Sequence, residues 1–285
     1  MMTEKAGSGR NMQSRTVLVR RHSLVTRITH WLNAVNLVLL LMSGLQIFNA
    51  HPELYWGQYG ADGDPAILTI GARDAEGSPR GFIRAGEAEF STTGVLGVSS
   101  RDGEPAVRAF PSWITLPSYQ DLGAGRGWHF LFAWFFVFNG LVYLSSGLLS
   151  GHFRRNLAPM RGQFSLRHLA REIADHARLR FPEGDAARHY NALQKLTYLI
   201  VIFLMLPVML LSGLTMSPGI DAALPWLVDL FDGRQSARTI HFVTASLLAL
   251  FVFVHVAMVV LSGPWNNLRS MVTGRYAIRY REPRS

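Results

Sequence analysis

Ten histidines stand in a 285-residue chain that has no cysteine, and four of them fall in or at the edge of strongly apolar stretches. His241 and His255 share one such stretch, 238–263, which carries no charge between His241 and Gly263. Fourteen residues at ~100° each return to within ~40° of the same helix face, and at ~1.5 Å per residue the two rings lie ~21 Å apart along the axis. An ionisable side chain inside a spanning helix is costly and by default marks function. Two on one stripe, one near each leaflet, suit a helix that gives one axial ligand to each of two stacked haems. Such a helix needs partner histidines at matching depths, and His30 and His129 each open another apolar span.

Depth permits two pairings: His129 with His241 towards the outer side, and His30 with His255 towards the inner side. Bis-histidine ligation leaves iron six-coordinate and suited to electron transfer rather than oxygen chemistry. Without cysteine there is no disulfide, no iron–sulfur cluster, no thiolate zinc site and no C-x-x-C-H attachment, so any haem must be held non-covalently, by histidine or methionine. An arginine precedes three of the histidines by three residues: Arg27 before His30, Arg126 before His129 and Arg238 before His241. At that spacing the two side chains share a helix face, and a guanidinium there can bind an anionic haem propionate bidentately. The plain alternative, a helix-end anchor at the interface, stands equally for each arginine.

The elements that must position these residues are legible in the hydropathy. The chain is 49% hydrophobic and 16% charged, too apolar for an ordinary soluble domain. Four spans are expected, at His30–Phe48, Trp128–Leu149, Leu196–Met216 and 238–263, the third containing Pro207 as an expected kink of the kind tolerated in a membrane bundle. A signal peptide fits the first span poorly, because its apolar core is long and no A-x-A site follows. Residues 1–26 read as a disordered start followed by a basic cytoplasmic arm, and residues 27–263 as the membrane domain. Within that domain, 51–126 is an outer insertion with weak strands around Ala66–Ile70 and Gly81–Ala85, and its Phe110–Tyr119 segment carries interfacial aromatics. A cytoplasmic loop, 151–195, holds a surface helix at Ser165–Phe181, and 264–285 is a cytoplasmic tail.

The insertion has six arginines and ten acids, whereas the 151–195 loop has nine basic and four acidic residues and the tail five and one. By the positive-inside rule both termini are cytoplasmic. The +9 net charge therefore reflects topology and contact with anionic lipid, not nucleic-acid binding.

Ser-Gly pairs at Ser43-Gly44, Ser146-Gly147 and Ser212-Gly213 lie near the ends of three spans, where small residues allow close approach to a macrocycle or, more simply, close helix contact. The echo LMSGL and LLSGL hints at a two-helix repeat. His22 is an alternative ligand to His30. His51, His152, His168, His176 and His189 are expected in solvent. Asn33 and Asn36, one turn beyond His30, are candidate quinone contacts.

The chain resembles the four-helix dihaem cytochrome b subunits of membrane-bound nickel–iron hydrogenases, formate dehydrogenases and thiosulfate reductases, grouped with the bacterial cytochrome b-561 proteins. The similarity rests on R-x-T-H-W at Arg27–Trp31, GRGWHF at Gly125–Phe130, and H-x13-H at His241–His255. It implies an all-α integral membrane fold, a four-transmembrane-helix bundle with a long extracytoplasmic loop between helices 1 and 2, in the bacterial inner membrane. It implies haem b ligation by His30, His129, His241 and His255, and quinone exchange near the inner haem. It also implies an extracytoplasmic redox partner, of molybdopterin or hydrogenase type. The length of the 51–126 insertion departs from the hydrogenase subunits and points towards the molybdopterin relatives.

Two other classes stay open. A free-standing cytochrome b would pass electrons from a small reductant to quinone, and a haem-free transporter or scaffold would explain four helices without the matched histidines. Neither an H-E-x-x-H nor a G-x-S-x-G sequence occurs, so hydrolase chemistry finds no support.

Overall fold

A computed structural model describes residues 12–60, 64–101, 103–158, 163–178 and 191–283. It divides into two units, one of Met1–Ile28, Ser145–Leu199 and Phe253–Ser285, the other of Thr29–Leu144 and Ile200–Val252. In chain order the elements are β1 (Met12–Arg20), α1 (Leu24–Phe48), β2 (Glu53–Leu54), β3 (Leu68–Ala75), β4 (Ser78–Ala85), β5 (Ala88–Ser91), β6 (Val98–Arg101), β7 (Glu104–Val107) and α2 (Leu122–Leu149). There follow α3 (Leu166–Ala177), α4 (Ala192–Thr215), α5 (Pro218–Ala223), α6 (Trp226–Leu230), α7 (Arg234–Leu261), α8 (Pro264–Thr273) and β8 (Arg275–Pro283).

Four helices, α1, α2, α4 and α7, are long and apolar enough to cross a membrane. Large apolar side chains stand uncovered along them, Trp134 at 74% exposure and Phe138 at 70%, which is surface a bilayer would cover rather than water. The expected spans are found, but all four helices start four to six residues earlier than hydropathy suggested. Ser23 accepts the N–H of Thr26 and Asp121 that of Ala124, so α1 and α2 begin at ordinary N-caps about two turns ahead of their histidines. Consequently His30, His129 and His241 lie well inside their helices rather than opening them, with His129 and His241 each seven residues past the first helical residue. In α4 the turn Val201–Met205 is π-helical, immediately ahead of Pro207. Proline lacks an N–H and crowds the carbonyl four residues earlier, and widening the preceding turn relieves both.

In the first unit, β1 pairs antiparallel with β8 from Met12↔Pro283 to Arg20↔Arg275. Buried Ile278 sits in register with Val17. Asn266 of α8 exchanges both amide hydrogen bonds with Ala277, at 2.9 Å each. Within the expected arm and tail, 12–20 is a strand and 264–283 a helix and strand, while residues 1–11 lie outside the described residues. The amphipathic helix at Ser165–Phe181 appears as α3, with 179–181 and His189 outside the described residues. Glu172 of α3 accepts the N–H groups of Ala192 and Leu193 at 3.1 and 2.7 Å, satisfying the first donors of α4.

In the second unit, the insertion is more ordered than two weak strands. A four-stranded antiparallel sheet runs β2-β3-β4-β5, and β6-β7 form a hairpin. Leu54, Ile70 and Ala109 bury against Phe48 at the end of α1, with Phe242 of α7 stacked on Phe48 at 4.7 Å. The segment after β2 is strapped to the start of α7. Gly57 O accepts Gln235 and Ser236 N–H, Ser236 Oγ accepts Gly57 N–H, and Thr239 Oγ1 donates to Tyr55 O. Gly233, at φ +109°, makes this approach possible, since a Cβ there would stand 2.4 Å from the Gly57 carbonyl carbon.

Candidate haem site

Within the second unit, α2 and α7 bring His129 and His241 together, with ring centres 6.3 Å apart and planes at 65°. The arrangement around each ring is the same. Ser43 of α1 lies 3.1 Å from His129 Nδ1, and Ser212 of α4 lies 3.0 Å from His241 Nδ1. Both serines are fully buried. Each donates its single hydroxyl proton to a carbonyl one turn back, Ser43 to Leu39 O at 2.7 Å and Ser212 to Val208 O at 2.6 Å. With that proton spent, each oxygen is left to accept from an imidazole Nδ1–H. Nε2 is then the nitrogen with a lone pair to offer, a tautomer fixed from outside the ring in the usual manner of a metal-ligating histidine.

The glycine after each serine makes the room. A Cβ on Gly44 would stand 3.4 Å from His129 Cε1, and one on Gly213 would stand 3.3 Å from His241 Cε1. Sequence reading noticed both Ser-Gly pairs and left them between approach to a macrocycle and plain helix contact; their link to the histidines is visible only in three dimensions. Ser146-Gly147 does not share the role, because Gly147 faces the Phe153 ring.

Do these residues fit a haem? Metal–imidazole bonds of ~2 Å on opposite sides of one ion, plus the radius of each ring, place two axial ring centres ~6 Å apart. The observed 6.3 Å meets that requirement. No cluster of three or more metal-ligating side chains occurs among the described residues, and a porphyrin, which brings its own four nitrogens, needs only the pair.

The remaining candidates are placed as follows. His30 belongs to the second unit, where its ring meets Trp31 edge-on at 5.5 Å; His255 belongs to the first. His22 lies outside α1, in the turn after β1. Arg238 donates to Glu53 O at 3.0 Å and to His51 O, so much of its guanidinium is committed to holding the insertion. Arg27 donates to Val272 O in the first unit. Arg126 is exposed, 5.9 Å from the centre of the Phe130 ring. Asn33 Oδ1 accepts from Asn139 Nδ2, which also donates to Thr29 O, and Asn36 is buried. Two of the histidines expected in solvent are packed instead. His51 stacks on Tyr55, and His152 meets Phe153 edge-on, where burial and then the Arg155 charge push its imidazole below the ordinary value.

Four apolar helices and a half-buried, serine-braced imidazole pair define a multi-pass membrane protein of the b-type cytochrome class. The family model for prokaryotic cytochrome b561 matches residues 21–274, and the chain belongs to that family. It is accordingly a haem b-binding, electron-transferring cytochrome of a membrane, with the helical-bundle fold of the family. The putative protein-methionine-sulfoxide reductase subunit YedZ1 of Azospira oryzae (strain ATCC BAA-33 / DSM 13638 / PS) is 31% identical over 235 residues, covering 82% of this chain and 87% of that protein. No solved structure matches the chain.

Proposed function

We propose that the chain is a dihaem cytochrome b that carries electrons across the bacterial inner membrane, between the quinone pool and an extracytoplasmic redox partner. The observation that carries this reading is the 6.3 Å pair of serine-braced imidazoles, His129 and His241, which would hold an outer haem. The second haem rests on helix register. His255 lies fourteen residues beyond His241 on α7, and His30 thirteen before Ser43 on α1, distances of ~21 and ~20 Å along the two axes. The inner ligands therefore sit at equal depths below the outer site, each measured along its own helix.

Bound haem iron supplies one-electron exchange between its ferrous and ferric states. The protein's part is to hold the imidazoles neutral and oriented through Nδ1, and to keep water out with apolar helices. Arg126 is the candidate propionate partner with an uncommitted guanidinium, whereas Arg27 and Arg238 would share that duty with their carbonyl contacts. Quinol oxidation at the inner side releases two electrons and two protons, and Asn33 and Asn36 are the candidate contacts there. With both termini cytoplasmic, the insertion faces the partner.

The relative's name makes that protein a subunit of a methionine-sulfoxide reductase. A partner that reduces an S=O bond would consume two electrons and two protons and release water, matching one quinol. This favours an extracytoplasmic reductase, of molybdopterin rather than hydrogenase type, and casts the chain as the electron-transfer subunit of that enzyme.

The test is haem b per chain by the pyridine haemochrome method on detergent-purified protein. Two per chain is expected, falling to one in His129→Leu or His241→Leu. A wild-type value of zero, in cells replete with haem, would refute the reading.

A further inference from the structure

Arg108 lies in the insertion, far in sequence from every histidine, and is 6% exposed. Its guanidinium is held by three neutral oxygens: Nη1 donates to Ser118 O at 2.8 Å, and Nη2 to Gln46 Oε1 at 2.8 Å and Thr115 Oγ1 at 2.9 Å. Nε is buried with no hydrogen-bond acceptor. Among the described residues no carboxylate pairs with it, and its charged neighbour is Arg101, of the same sign. Burial and then that repulsion both disfavour the charged form, yet a guanidinium stays protonated in proteins. Arg238, by contrast, faces the Glu53 carboxylate. A buried, uncompensated cation is expensive, and its field is only weakly screened.

Its position is specific. Gln46 lies one turn beyond Ser43 on the same face of α1, ~4.5 Å along the axis, and Ser43 is the brace of His129. Leu116 N–H, next to Thr115, donates to Met42 O, beside Ser43. The cation is therefore tied to α1 through Gln46, one helical turn beyond the brace of His129, and to the insertion through Thr115 and Ser118. An iron centre that gains an electron loses one positive charge, so a fixed cation at its edge favours the reduced state.

We propose that Arg108 sets the redox potential of the outer haem, raising it above the value the two imidazoles alone would give. This rests on the assignment of His129 and His241 as ligands. Arg108 touches no reacting atom; it acts through its charge and the segment it anchors. The insertion then has a second duty besides facing a partner, because it delivers the charge that makes the outer haem a stronger electron acceptor than its two imidazoles alone would.

The experiment is an optical redox titration of the full chain in detergent, with Arg108→Gln, Arg108→Lys and Gln46→Glu compared with wild type. The outer haem is identified as the component lost in His129→Leu. Arg108→Gln should lower the midpoint of that component and leave the other in place, while Arg108→Lys should restore most of it. Gln46→Glu keeps the arginine and sets an anion beside it, at the loss of the bond from Gln46 to Tyr119 O; it should lower the same midpoint if Arg108→Gln does not fold. Unchanged midpoints in variants that retain two haems would overturn the proposal and leave the ligand assignment standing. If His129→Leu removes no haem, the ligand assignment fails first, and this proposal with it.

Discussion

Replacing Ser212 by alanine deletes one oxygen from a fully buried site and changes nothing else in the shape of α4. The loss falls on His241, whose Nδ1 lies 3.0 Å from that oxygen and would lose its side-chain acceptor, keeping only the backbone carbonyl of Met209 as a partner. Removing a hydrogen-bond partner from a buried donor costs about 1–3 kcal/mol, and loss of an outer partner of a metal-ligating histidine typically costs about 10–100-fold in affinity. The two scales agree, since about 1.4 kcal/mol is tenfold. Ser212→Ala should therefore weaken the outer haem about 10–100-fold, and Ser43→Ala should do the same through His129. On the proposed ligation the two serines brace ligands of one haem, so the double variant should lose most of it while keeping the proposed inner one. The assay is haem transfer to excess apomyoglobin, followed by the residual haem per chain. Unchanged transfer in the double variant, with the low-spin signals of both haems intact, would refute the idea that the serines hold the ligands.

Leucine at His30 or His255 should remove one haem and spare the other, the complement of the result at His129 and His241, as counted by pyridine haemochrome. Arg238→Gln gives up charged donors to His51 O and Glu53 O, each worth about 1.5–3 kcal/mol; limited proteolysis should then cut the 51–66 segment faster without loss of the helical bundle. Ile278→Ala empties a buried position of the β1–β8 pair at about 2–5 kcal/mol, and earlier proteolysis within 12–20 would report it. Alkaline phosphatase inserted after Gly103 should be active and the same reporter fused after Ser285 inactive; the reverse pattern would invert the topology.

The membrane helices and the histidines were legible because they depend on local quantities, apolar length and helical register. His241 and His255 needed only a count of fourteen. The helix starts were misjudged although the caps were in plain view, since Ser23 and Asp121 lie outside the apolar windows that defined the spans. The braces were half-seen: Ser43 and Ser212 stood out, but the contact from Ser43 to His129 crosses 86 residues and most of the insertion. Arg108 drew no notice because the search for cations looked within one turn of a histidine. The arm and tail read as charged coil for a similar reason. Each carries alternating β-branched or aromatic residues, but a strand signal is weak until its partner is known.

That strand pair has a consequence for the order of assembly. Arg20 and Arg275 are partners in β1–β8, yet 255 residues separate them. At about 5–20 residues per second, the ribosome delivers the second strand roughly 10–50 s after the first. All four apolar helices are made in that interval, so insertion is over before the clasp can form. The clasp thus forms only on chains whose four apolar helices have all been made. A product released early, lacking 275–283, would hold the same four histidines and leave β1 an unpaired edge, open to proteases and to other strands.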